Sequence, residues 1–419
     1  MIAFRRIFAL AACALLSACA AMTAEKRAEG AGSIPTLAAG DSGHAIRVAK
    51  LIACDDADSL HSPGLVVTRN SKIVYAGPVR DLPAGYALLE YPQAIAMPGM
   101  VDLHSHVQSG GFGDVNDMVM PVNPEYRASA ALRPGNRLIK LACAGGVTTL
   151  FGIPGSGTSM SGFGILYKTK PGSSFEASVL RNPGGVKVAQ AYNPERRAGD
   201  FGQTRAGLSW ILEDINEKAI GANREGRIDP VLANLQKVNT RELPILIHCA
   251  GSDSFPAAAR MWQERYGTRC VLSHGCFDAH ATAPYVVQTG APINAGPRTM
   301  DYFSTRDGRI TGTAAVYLAA GARNLSLNTD APVMPQEELA LQGAMSSRLG
   351  ADSYQMLRAV TIHPARSFGI DDRVGSLEPG KDADIVICSG DPLDPRSRVE
   401  LVLIDGQIQY NRQVEGQLF

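Results

Sequence analysis

The chain carries no excess charge: Lys plus Arg and Asp plus Glu both total 40, for a net charge of zero. That balance gives no support to nucleic-acid binding, which calls for a basic patch or surplus. No run past the N-terminus is long and apolar enough to span a bilayer. There is no CxxC pair, so neither a zinc ribbon nor a small disulfide framework is indicated. The P-loop pattern G-x-x-x-x-G-K-[ST] is missing as well, which argues against a phosphate-cradling loop. Histidine is scarce, with only eight among 419 residues. Where those few fall is therefore informative.

The N-terminus reads as an export unit. Arg5 and Arg6 precede an apolar stretch from Ile7 to Leu16, too short for a stable span. It ends in Leu16-Ser17-Ala18-Cys19, which resembles the lipobox of bacterial lipoproteins, with a plain secretory signal as the alternative. Residues 1–19 are thus expected to be a signal peptide and 20–44 a flexible tether. The resemblance implies an exported, periplasmic protein attached to a bacterial membrane through lipidated Cys19. The six later cysteines lie mostly in apolar runs and read as buried free thiols. A Cys270–Cys276 bridge stays open at this level.

Residues 45–98 and 366–419 read as short strands and turns, including Ile46–Ala49, Leu65–Thr68, Asp384–Cys388 and Val399–Ile404. Asp405-Gly406 is a hairpin turn. Between them, residues 99–365 alternate strands and helices. The expected fold class is α/β: a (β/α)8 barrel with a small composite β-sandwich built from both chain ends.

Five residues carry the chemistry. His104 and His106 end the run from Met97 to Leu103, and their spacing of two puts both on one side of a strand. His248 ends Leu243–Ile247, His274 ends Val271–Ser273, and Asp330 follows Leu325–Thr329. All close predicted strands, and in a barrel those ends converge on the active-site face. One strand-end histidine is ordinarily structural, and a lone H-x-H is a weak motif. Four such histidines with an aspartate suit a divalent metal such as zinc, manganese or iron.

The segments Met97–His106, Asn328–Val333 and Gly375–Val386 resemble signatures of the amidohydrolase superfamily, closest in order to its imidazolonepropionase-like branch. The resemblance covers Ala45 to Tyr410. It implies that His104 and His106 bind the more buried metal position and that His248 is a further ligand. His274 would bind a second metal or polarise the substrate carbonyl. Asp330 would bind metal and take a proton from the attacking water. Two-metal members place a carboxylated lysine or a glutamate at the end of the fourth strand. Here Tyr192 stands at the glutamate position and Lys187 lies five residues earlier, which reads as too deep. One ion, zinc, is expected rather than two.

The implied activity is hydrolysis of an amide, cyclic amide or small dipeptide, on a small-molecule substrate and with oligomer formation left open. A metal-dependent deaminase, with Asp253 as its nearest acid, and an inert ligand-binding lipoprotein are the alternatives. Tyr192 and Arg298 are candidate substrate contacts. The Gly- and Ser-rich stretch Gly152–Gly162 reads as a βα loop at the same face. His280 and His363 read as structural, and His44 and His61 as parts of the tether and small domain.

Overall fold

The computed structural model describes residues 33–111, 115–195, 204–301 and 308–418. The expected signal peptide and lipobox at Cys19 lie outside the described residues. The chain enters through β1 (His44–Ile52), β2 (Leu60–His61), β3 (Gly64–Arg69), β4 (Lys72–Pro78) and β5 (Ala87–Pro98). Then follow β6 (Met100–Ser105), β7 (Val147–Gly152), β8 (Met160–Lys168), β9 (Val179–Ala189), β10 (Ile245–Cys249), β11 (Cys270–His274) and β12 (Ile293–Ala295). A small pair, β13 (Met300–Asp301) and β14 (Thr311–Gly312), precedes β15 (Leu325–Leu327). The chain returns through β16 (Ile385–Cys388), β17 (Val399–Ile404) and β18 (Gln407–Asn411).

Strands β6 to β12 and β15 form one eight-stranded, TIM-barrel-like sheet in the order β15-β12-β11-β10-β9-β8-β7-β6. Its two ends meet at a parallel bridge between Ser105 and Ala331, where His106 N–H donates to the Ala331 carbonyl at 2.8 Å. The barrel departs from the all-parallel expectation at β8, which runs antiparallel to both β7 and β9. The cause is the connection. Ile153 to Ser159 is too short for a parallel crossover of about a dozen residues, so the chain turns back as a hairpin. The Gly- and Ser-rich stretch is therefore a ββ loop running into β8, not a βα loop. Within β8 a glycine serves close packing: a Cβ on Gly164 would come within 2.6 Å of the Phe151 ring.

Strands from both chain ends share a second sheet, ordered β18-β17-β16-β5-β1-β3-β4, with β5 joined to β16 in antiparallel register. The two chain ends thus share one mixed sheet, as expected of a unit built from both ends. The segment read as tether is anchored at Ile34 and Pro35: Ile34 is buried with Ala45, Leu65 and Val67, and Tyr86 donates to the Pro35 carbonyl. His44 opens β1 and His61 lies in β2.

A buried ionic cluster pins the two sheets together. Lys168, at the end of β8, reaches Asp382 at 2.7 Å, Asp384 at 3.1 Å and Asp405 at 2.5 Å. Burial alone would raise Asp382, but the Lys168, Lys72 and Arg373 cations outweigh it and hold the carboxyl near about 2. Lys168→Met removes the cation shared by all three carboxylates and leaves buried Asp384 without the cation it faces, so a loss of about 3–5 kcal/mol in urea unfolding is expected. Because the folded pKa of Asp382 is depressed, its contribution is complete above the unfolded value and vanishes as pH falls toward 2.

Candidate metal and active site

The barrel brings the five strand-end residues together. His104 and His274 ring centroids are 4.4 Å apart, His248 and His274 also 4.4 Å, and His104 and His106 5.3 Å. Ligand atoms of His104, His248 and His274 all lie within 4.8 Å of one another, and so do those of His104, His106 and Asp330. His104 is common to both groups.

The outer hydrogen bonds fix which nitrogen faces inward. His106 Nδ1 lies 2.9 Å from the Ile153 carbonyl and His274 Nδ1 lies 3.0 Å from the Gly296 carbonyl. Carbonyls only accept, so both Nδ1 atoms carry a hydrogen and Nε2 is the ring atom turned to the site. His104 Nδ1 is 2.7 Å from Ser273 Oγ. Among the described residues, the buried Nε2 atoms of His104, His248 and His274 have no hydrogen-bond partner. Burial and the neighbouring Lys187 and histidine charges hold His104 well below its usual pKa. His248 is depressed chiefly by burial and His274 in the same direction. These are neutral imidazoles, the form that binds metal.

Asp330 Oδ1 lies 3.2 Å from His106 Nε2 and 3.3 Å from His104 Nε2. Two lone pairs facing a carboxylate repel unless a proton or a cation lies between them. The spacing matches the edge of about 3.3 Å expected for a tetrahedron of zinc ligands. The residues present therefore fit a divalent ion. Burial pushes Asp330 up, yet the His106 hydrogen bond and the electrostatic influence of the surrounding histidines and Lys187 outweigh it, so the carboxyl sits below its ordinary value. It is ionised at neutral pH.

Backbone strain concentrates here. Tyr192 has φ 63°, His274 φ 82° and Asp330 φ 50°, a left-handed conformation that costs side-chain-bearing residues of order 1 kcal/mol or more each. Asp102 braces the site from behind. Its carboxylate accepts from His104 N at 2.9 Å, Thr329 N at 3.0 Å, Thr329 Oγ1 at 2.7 Å and Gln336 Nε2 at 2.7 Å. It thereby ties β6 to the turn bearing Asp330. Burial pushes it up to about 6, against those bonds.

Lys187 is closer than its place in the sequence suggested. It pairs with Leu246, while Ala189 pairs with His248. Residues two apart share a face, so the long side chain rises toward the histidines from one step below. It is fully buried, and Nζ donates to Ser156 Oγ at 2.7 Å. Burial pushes its pKa down to about 7, with Asp330 opposing.

A cavity of about 320 Å³ opens over the cluster, lined by Tyr192, Phe277, Arg298 and Met300 together with His248, His274 and Asp330. Tyr192 and Arg298 thus both stand on its wall. Asp253 instead forms an ion pair with Arg205. His363 is buried with Nδ1 on the Leu325 carbonyl, and His280 Nδ1 bonds the Phe277 carbonyl outside the cluster. All six cysteines from Cys54 to Cys388 are free, Cys270 and Cys276 included. Ser273, Asp102 and Ser156 went unnoticed in the sequence. Only Ser273, directly before His274 at a strand end, left a signal there.

Residues 231–410 match the model of the Amidohydrolase family. Amidohydrolase tasK of Hapsidospora irregularis is 24% identical over 85% of this chain, which spans 40% of tasK. The imidazolonepropionase of Thermoplasma acidophilum is 23% identical, covering 84% of this chain and 92% of its own length. Among solved structures, an amidohydrolase from Thermotoga maritima MSB8 superposes with a TM-score of 0.79 at 29% identity, over 88% of this chain and all of the other.

Proposed function

We infer that the chain is an amidohydrolase-family hydrolase acting on carbon–nitrogen bonds, a reading supported by the family match over residues 231–410 and by the likeness to an imidazolonepropionase and to the Thermotoga maritima amidohydrolase. It hydrolyses an amide, a cyclic amide or a small dipeptide. His104, His106, His248, His274 and Asp330 would hold the divalent ion, with zinc the best match to imidazole and carboxylate donors. Such an ion supplies Lewis acidity and an ionised water at neutral pH. Asp330 takes the proton of the water that attacks the carbonyl carbon and returns it to the nitrogen as the C–N bond breaks. The buried Nε2 atoms of His104, His248 and His274, without a hydrogen-bond partner among the described residues and in a group whose ligand atoms lie within 4.8 Å of one another, carry this reading. Arg298 and Tyr192 flank the substrate. Asp253, the acid a deaminase would need, is engaged by Arg205, which favours hydrolysis over deamination. Metal analysis with a screen of dipeptides, N-acyl amino acids and cyclic amides tests the reading. Turnover of at least one class by metal-loaded chain supports it, and inactivity on all three contradicts it.

Lys187 favours a two-ion form of the same site. An uncharged amine there could add carbon dioxide, release a proton and bridge two ions as a carbamate. After reconstitution with excess zinc and bicarbonate, two ions falling to one in Lys187→Ala support that form. One ion in both chains contradicts it.

Export through Cys19 belongs to the same proposal. In the native host Cys19→Ala should move the chain from the membrane to the soluble fraction, since one lipid anchor is the attachment invoked. Identical fractionation of variant and parent would sink it.

A further inference from the structure

The strained turn after β9 is held by a residue from the helix that follows. Tyr192 N–H donates to Glu195 Oε1 at 2.8 Å, and Glu195 N–H returns a bond to the Tyr192 carbonyl at 2.9 Å. The same Glu195 oxygen accepts from Arg205 Nε at 3.1 Å. Arg205 opens the helix Arg205–Arg224, and its Nη1 pairs with Asp253 Oδ2 in the loop after β10. Its guanidinium lies 5.5 Å from the centre of the Tyr192 ring. The ring meets Phe277 edge-on, also at 5.5 Å. Its hydroxyl rests on Gly251 so closely that a Cβ there would come within 2.1 Å of the oxygen.

Arg205 therefore touches both loops that flank His248 on the cavity wall, and the ring it covers is part of that wall. The Arg205 and Asp253 side chains are each 44% exposed. Ion pairs that open to solvent contribute little to global stability. A planar fork that grips two carboxylates and covers an aromatic face instead restricts orientation. We propose that Arg205 is a positioning residue: through Glu195, Asp253 and the Tyr192 ring it fixes Tyr192 as the substrate-binding wall of the cavity. The inference rests on the hydrolase reading for its kinetic part alone.

The test is a double-mutant cycle on a substrate from the dipeptide, N-acyl amino acid and cyclic amide screen. Arg205→Gln should raise KM about tenfold and change kcat by less than about twofold, a size typical of coupled neighbours. Arg205→Lys, which keeps the charge, should recover part of that loss. In a Tyr192→Ala background, Arg205→Gln should add no further rise in KM. Additive effects, or equal loss of kcat in every variant, would overturn the proposal. Crystal structures of parent and Arg205→Gln judge it without turnover. Tyr192 displaced from Gly251 in the variant supports it, and an unmoved Tyr192 overturns it. A parent chain inactive on the whole screen counts against the hydrolase reading, while the paired structures still decide this one.

Discussion

Asp330→Asn should lower turnover about 100-fold to 10,000-fold, the usual contribution of general acid–base catalysis, while lowering metal content far less. Asparagine keeps an oxygen at the position now 3.2 Å from His106 Nε2 and 3.3 Å from His104 Nε2. The four imidazoles remain. What is lost is the ability to accept a proton from the attacking water and pass it to the leaving nitrogen. The parent carboxylate is suited to this because its neighbours keep it ionised despite burial. Metal content measured beside kcat on the same preparations separates the two roles. Unchanged turnover in Asp330→Asn would remove the proposed base and the mechanism with it. Equal loss of metal and turnover would reduce Asp330 to a ligand.

The second large effect is expected at the paired histidines. His104 belongs to both ligand groups, and its Nε2 has no hydrogen-bond partner within the described residues. His106 is aligned by its bond to the Ile153 carbonyl. Truncating both to Ala leaves His248 and His274 on one side and Asp330 on the other. A site with four ligands tolerates such loss poorly, so metal and activity should vanish together. The chain itself should stay folded, because both substitutions leave the backbone pairing of β6 with β7 intact.

The parts of this site legible in the sequence were those that depend on local rules. The parity of a strand put His104 and His106 on one side, and strand ends marked His248, His274 and Asp330. Residues that act across the barrel were harder to read. Lys187 seemed too deep when counted along the chain from Tyr192. Its reach depends instead on register with β10, where Leu246 stands opposite. Asp102 was visible as a letter of a motif, but its work is done on Thr329 and Gln336, more than two hundred residues away. The reversal of β8 was hidden because its glycines and serines read as loop, while close packing against Phe151 is what calls for Gly164. The joining of both chain ends was legible from two β-rich stretches flanking an alternating middle, and the structure realises it through the pairing of β5 with β16.

The most direct test of the central claim is the metal content of the purified chain, compared with that of the His104→Ala/His106→Ala variant by elemental mass spectrometry. The account predicts at least one tightly held divalent ion per parent chain, and almost none in a variant that circular dichroism shows to be folded. Full occupancy in the folded variant would contradict the assignment of these histidines, and with it the metal-dependent hydrolase proposed here.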